Sequence, residues 1–297
     1  MSLVINHNLM AQNAARNLST SFGKLSVSTR RLSSGLRIAI AADDPAGLAI
    51  KDLMRSDIAG LHQGVRNAND AISLIQTADG ALSIIDEKLI RMKELAEQAA
   101  TGTYNSDQRL IIDSEYQAMA SEITRIANAT DYNGIYLLNG NLSSTTHDGT
   151  GLRSAGKLKV HFGVGNDSAE DYYYIRVNTA TASALGLGNA ADPTHGGFAI
   201  STQEAAQSAL AAINAAIISK DNIRASLGSL QNRLENTITN LSIQAENLQA
   251  AESRISDVDV AEEMTEFVRQ QILTQAAVAM LAQANSLPRL AMQLLGG

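Results

Sequence analysis

Small and apolar residues recur at alternating steps of four and three over nearly all of both ends of this 297-residue chain. At the N-terminal end they are Val4, Asn8, Ala11, Ala15, Leu18, Phe22, Leu25, Thr29, Leu32 and Leu36. At the C-terminal end they are Leu273, Ala277, Met280, Ala284, Leu287, Ala291 and Leu294. A step of four and three returns to the same helix face after two turns, which is the seam of a coiled coil. Further inboard, Leu227, Leu234, Leu241, Leu248 and Ile255 repeat strictly every seven residues, with Leu230, Ile238 and Ala245 between them. An isolated helix of this kind is marginal in water and needs a packed partner. The pattern predicts a mostly α chain: a hairpin-shaped bundle of long helices with terminal coiled-coil arms.

The first seam stops at Ala41 and Ala42. Asp44 followed by Pro45 then reads as an N-cap with proline in the first helical position, where its missing N–H is harmless. The helix that starts there continues to about Ala100, with a bend expected near Gly60 or Gly64, and at 1.5 Å per residue spans more than about 60 Å. A shorter helix, with Ser106 as its cap, carries Ile112, Tyr116, Met119, Ile123 and Ile126 and returns antiparallel after the turn at Gly102 to Asn105. Residues 139–200 hold ten of the 21 glycines. Within them Leu158, Val160, Phe162 and Val164 alternate with polar residues, as do Tyr173, Ile175 and Val177, predicting a small β-hairpin across Gly165 to Asp171. Ser201 with Glu204 reads as a capping box that restarts the helical pattern. Pro288 is expected to kink or loosen the last helix.

Aromatic residues make up 4% of the chain, with no Trp, which suits closely packed helices and not a deep aromatic pocket. The net charge of −7 argues against a general nucleic-acid binder. Charge is nonetheless unevenly placed. Residues 1–42 contain Arg16, Lys24, Arg30, Arg31 and Arg37 and no acid, whereas 255–266 contain Asp257, Asp259, Glu262, Glu263 and Glu266 and no base. Pairing of the basic arm with the acidic helix, in the same or a neighbouring subunit, is expected. The absence of cysteine removes disulfides, thiolate metal sites and thiol nucleophiles. His7, His62, His147, His161 and His195 show no HExxH or comparable spacing, and neither a dinucleotide nor a P-loop glycine motif occurs. Asp43 and Asp44 read as helix-capping residues, and Ser143 to Thr146 as a polar loop. No enzymatic activity, cofactor or metal is expected. No stretch is apolar for a membrane-spanning length, and the N-terminus lacks a secretory leader.

Five blocks carry a family resemblance: RLSSGLRIAIAADDPAGLAI (31–50), RMKELAEQAATGTYN (91–105), DYNGIYLLNG (131–140), RASLGSLQNRLENTITNL (224–241) and QILTQAAVAMLAQANSLPRLAMQLL (271–295). In this order they resemble bacterial flagellin, the subunit of the flagellar filament, and residues 141–200 fall outside the match. The resemblance implies a structural subunit that polymerises into a helical propeller. It implies residues 1–42 plus 256–297 as the coiled-coil inner core of the filament and 43–255 as an outer bundle with a β-hairpin. Within that bundle, 141–200 is a short variable region with no separate large outer domain.

It further implies export to the extracellular flagellum through the type III apparatus without a cleaved signal peptide. The implied partners are copies of itself, an export chaperone on the C-terminal arm, the filament cap and hook-associated proteins. RMKELAEQ resembles the patch recognised by Toll-like receptor 5, and Arg91, Leu95 and Glu115 match the family's arginine, leucine and glutamate. The residue before the arginine, commonly glutamine in the family, is Ile90 here, and Leu95 reads equally as core. Leu18, Phe22, Leu25, Leu32, Leu36, Leu273, Met280, Leu287 and Leu294 are the expected assembly seam. A two-helix hairpin leaves much of each apolar stripe wet, so both arms are expected to be mobile in the monomer and helical in the polymer. A hook–filament junction protein is the nearest rival reading, and a secreted adhesin or signalling ligand a more distant one.

Overall fold

The computed structural model describes residues 8–150, 155–168, 170–188 and 199–295. Val4, His195 and the side chains of Leu287, Ala291 and Leu294 lie outside the described residues. The chain forms two compact units, residues 1–58 with 246–297 and residues 59–245.

The first unit is built around α1 (Leu9–Ser34) and α5 (Val260–Leu295). Asn8 caps α1 by accepting from the Ala11 amide at 3.0 Å. Gly35 ends the helix in the left-handed region at φ 71, donating its N–H to the Arg31 carbonyl. Only glycine adopts that conformation without a Cβ penalty. Leu36 then forms an antiparallel bridge with Asp257, and the Arg37 amide donates to the Ser256 carbonyl at 2.7 Å. Asp44 caps α2 (Pro45–Ala100) as expected, accepting from Ala46 and Gly47 at 3.1 and 3.0 Å. Its neighbour Asp43 has a different task. Burial acts to raise its pKa, but the Ile40 and Ala39 amides and the charges of Arg30 and Arg31 outweigh that and hold the carboxyl below its ordinary value. Beside the bridge of Leu36 with Asp257, Asp259 caps α5 by accepting from Ala261 and Glu262. The helix continues past Pro288.

The second unit joins residues 59–100 of α2, α3 (Ser106–Ala129) and residues 203–245 of α4 (Gln203–Ser256) around a continuous apolar core. The α2 side chains Leu82, Ile85, Leu89 and Met92 are completely buried, as are Tyr116 and Ile123 of α3 and Ile213 of α4. Arg91 meets Glu115, and Arg109 donates to the Ala99 carbonyl, so α3 runs antiparallel to α2. Asp86 meets Lys220 and Asp79 meets Arg224, so α4 does too. Two caps differ from the sequence reading. Asn105, not Ser106, caps α3 in a capping box with Gln108, and Thr202, not Ser201, accepts from Ala205 at the start of α4. Adjacent Ser, Thr and Asn residues offer the same chemistry, so one-residue slips of this kind carry little penalty.

Among the described residues, three small antiparallel hairpins complete the unit: β1 (Asp131–Tyr132) with β2 (Ile135–Tyr136), β3 (His147–Asp148) with β4 (Ala155–Gly156), and β5 (Leu158–His161) with β6 (Tyr172–Ile175). The third is the hairpin expected from the alternation. Its pairs are Leu158 with Ile175, Lys159 with Tyr174, Val160 with Tyr173, and His161 with Tyr172. One face buries Val160 and Ile175. The helix assignment of α2 is uninterrupted through Gly60 and Gly64. Both glycines instead serve close packing: a Cβ at Gly64 would lie 1.9 Å from the Phe162 carbonyl oxygen, and one at Gly60 would lie 3.3 Å from Val164.

Candidate assembly surface

α1 and α5 pair antiparallel, pinned near one end by the Asn8 side chain donating to the Ala284 carbonyl at 2.8 Å and near the other by Arg31 and Glu263 at 3.3 Å. Along one face of α1, Ala11, Ala14, Leu18, Ser21, Leu25, Ser28 and Leu32 are withdrawn from solvent, with Val27, Arg30 and Arg31 beside that run. Along one face of α5, Glu263, Phe267, Gln270, Thr274, Ala277, Leu281 and Ala284 are withdrawn, with Glu266 and Ser286 beside it. Both runs alternate steps of three and four, as facing coiled-coil seams do. The residues on them are mostly small or polar, and Ser28, Gln270 and Glu263 are buried there. A seam of small side chains lets two helices approach closely but removes little apolar surface from water.

Leu18, Leu25 and Leu32 lie on this contact, and Leu36 is half-buried in the segment beyond it. Phe22 is 63% exposed, and Leu273 and Met280 are 45% and 60% exposed. They have company, because Leu9 and Met10 of α1 and Val268, Ile272 and Val278 of α5 are also exposed. Successive helical residues are about 100° apart, so Val268 and Ile272 lie opposite the α5 seam while Leu273 and Met280 flank it on one side and Val278 on the other. α5 is therefore apolar on every side, a property of helices that are surrounded.

Among the described residues, the ion pair between the basic arm and the acidic helix is that of Arg31 with Glu263. Arg30 turns instead to Asp43 at 2.6 Å, and Arg37 donates to the Ile255 carbonyl at 2.5 Å.

In the second unit, Arg91 is exposed and bridges Glu94 at 2.9 Å on its own helix and Glu115 at 2.8 Å on α3. Hydrogen bonds to Glu115 and then Glu94 raise its pKa further above the ordinary arginine value. Leu95, one turn on, is 1% exposed and belongs to the core. The three residues are thus adjacent but unequal: a surface charge network sits over a buried leucine.

One polar cluster escaped the sequence reading. Lys220 is 2% exposed and held by Asp86 and by Asp221 at 2.7 Å, with Arg224 and Asp79 paired at 2.7 Å one turn away. Asp79 and Asp86 are seven residues apart on one helix face, and Lys220 and Arg224 four apart on the other. That spacing puts each pair on one helix face but does not say which faces meet. Together they form a charge ladder that fixes the α2–α4 register, because sliding either helix strands a buried cation. Among the described residues no group of His, Asp and Glu could hold a metal ion, and no helix is long and apolar enough to cross a membrane.

A mainly helical core, terminal helices joined through a weak seam, and apolar side chains left on the outside define a structural subunit built for association. Family models place it. The bacterial flagellin N-terminal helical region matches residues 5–143, and the bacterial flagellin C-terminal helical region matches residues 210–295. A flagellin of Halalkalibacterium halodurans is 42% identical, with 99% of this chain and 100% of that protein covered. The flagellar filament 33 kDa core protein of Treponema phagedenis is 39% identical, with 99% and 100% covered. The crystal structure of Bacillus cereus flagellin is 29% identical over 63% of this chain and 94% of its own, with a TM-score of 0.46. The chain belongs to the bacterial flagellin family, and it is a structural subunit of the flagellar filament and not an enzyme.

Proposed function

We propose that the α1–α5 pair is the part of the subunit through which the filament is built, with residues 1–42 and 256–297 in the inner layer and 43–255 forming the outer bundle. In this reading 141–200 adds no separate outer domain. The observation that carries it is the exposure of Phe22, Ile272, Leu273 and Met280 on helices whose mutual contact is made mostly of small and polar side chains. Surface of that kind is stable in water only when another apolar surface covers it. The same outward α5 side chains suit a helical export chaperone, which would hold them as a groove holds an amphipathic helix before the chain leaves by the type III route without a cleaved leader. The filament cap and hook-associated proteins would meet the same ends of the polymer.

Electron microscopy of the purified chain, seeded with filament fragments, tests this directly. Filaments are expected from the full chain and none from a chain lacking residues 1–42 and 256–297. Filaments from both would refute assembly through the termini.

The Arg91 network also supports recognition by Toll-like receptor 5. Arg91 and Glu115 supply the exposed charges, and Leu95 supports them from beneath. Arg91→Ala removes both ion pairs at an exposed site, where such pairs contribute little to stability. The folded mutant is therefore expected to keep its melting behaviour while receptor signalling falls about tenfold. Unchanged signalling from a folded Arg91→Ala chain would remove the receptor reading.

A further inference from the structure

We infer that the outward face of the β5–β6 hairpin is a binding site for acidic polysaccharide, of the polyuronate type. In a chain that is 4% aromatic, this one face gathers His147, Lys157, Lys159, His161, Tyr172 and Tyr174, all of them partly solvent-accessible. The strand register explains the gathering. Lys159 lies opposite Tyr174 and His161 opposite Tyr172, so all four project from the side of the hairpin away from buried Val160 and Ile175. The rings form a connected row. His147 is 5.5 Å from Tyr174, Tyr174 is 5.4 Å from Tyr172, and Tyr172 is 5.9 Å from His161, centroid to centroid. The ammonium of Lys157 sits 3.9 Å over the Tyr174 ring and that of Lys159 sits 3.6 Å over Tyr172.

The chemistry of the row selects the ligand. Each ammonium is held over an aromatic ring and keeps outward N–H donors, so a carboxylate meets a preformed, oriented cation. Ring edges and phenol hydroxyls beside it suit the C–H and O–H groups of a sugar, and the spacing between rings is comparable to one pyranose unit in a linear chain. Single-stranded nucleic acid fits less well. Base stacking requires bare ring faces, whereas the lysines lie over these. One face with two permanent cations binds weakly by itself. A filament presents the face once per subunit, and linked weak sites gain through effective concentration what each lacks singly. That amplification rests on polymerisation, while the site itself does not.

Binding of polygalacturonate to the full chain is measured in two arms: by NMR chemical-shift perturbation on monomer, and by co-sedimentation with filaments verified by electron microscopy. Dextran serves as the neutral control and an oligothymidylate as the nucleic-acid control. Expected are millimolar-range shifts confined to the hairpin, retention by filaments at least a hundredfold tighter, and no retention of dextran. Lys157→Gln with Lys159→Gln is expected to lower both at least tenfold, and Tyr172→Leu to lower them with the lysines intact. Lys88→Gln, on α2, leaves both unchanged. Equal binding by the hairpin and Lys88 variants, equal retention of dextran, or preference for the oligothymidylate would each overturn the inference. A chain that fails to form filaments but shifts at the hairpin would count against assembly and for the site.

Discussion

Replacing Phe22 and Ile272 together by glutamine is expected to raise the concentration needed for filament growth by about a hundredfold. Both side chains are well exposed in the single subunit, at 63% and 59%, so the substitutions remove nothing from its core. If a neighbouring copy covers them, each contributes about 1.5–3 kcal/mol when fully buried. A combined loss of about 3 kcal/mol corresponds to two decades in an association constant. Circular dichroism should show no loss of helix, because glutamine is at least as good a helix former as the phenylalanine and isoleucine it replaces. Light scattering during seeded growth, over a range of subunit concentrations, reads the threshold. A threshold within threefold of the parent chain would mean that these side chains stay wet in the polymer, and the assembly surface would have to be sought elsewhere on the subunit.

Gly64→Ala should be among the most damaging single-methyl additions anywhere in the chain. The new Cβ would stand 1.9 Å from the Phe162 carbonyl oxygen and 2.7 Å from its carbon, both of them backbone atoms that cannot swing aside. Phe162 is itself 3% exposed, and the Asn67 side chain donates to the adjacent His161 carbonyl at 2.8 Å, so the hairpin is tied to α2 on both sides of the clash. Overpacking a close contact typically costs 1–3 kcal/mol, and about 3 kcal/mol is expected here because backbone must move. The control runs the other way. Gly80 and Gly228 are exposed helix positions with nothing within 4 Å of an added Cβ, so alanine there should stabilise by about 0.5–1 kcal/mol. Urea unfolding of the three variants, followed by helix signal, checks the signs. A neutral Gly64→Ala would show that the hairpin is not seated on α2 as described.

Gly60 and Gly64 illustrate what a sequence yields and what it withholds. A glycine inside a long helical pattern announces that something is unusual, and a bend was the natural guess. Whether it marks a bend or a neighbour's close approach depends on where Phe162 lies, 98 positions along the chain. The terminal seam shows a related ambiguity. Steps of four and three pick out a face only to within one residue when alanine and serine alternate with larger side chains. The N-terminal reading therefore took Ala15 and Phe22, while the contact uses Ala14 and Ser21. On α5 apolar residues occur on every side, and the pattern took Leu273 and Met280 with Ala277 and Ala284, while the contact with α1 uses Thr274 and Leu281 with those two alanines. Asp44 and Pro45 were unambiguous, since a cap followed by proline is local chemistry. The β1–β2 turn was equally local. Asn133 and Gly134, both at positive φ, are the Asn-Gly pair that favours such hairpins, and they stood plainly in DYNGIY. The Lys220 ladder needed the pairing of helices more than 130 residues apart, which no local pattern specifies.

A helix that is apolar all round has consequences for how growth ends. One partner, α1, satisfies one side of α5, and a second copy of the subunit can satisfy only part of the rest, so a pair is not a saturated species. The coordination number must exceed two, as it does for an atom inside a crystal. Wherever the lattice stops, its outermost subunits remain under-coordinated. The tip of such a polymer is permanently its most reactive surface, and each arriving copy renews the vacancy that it fills.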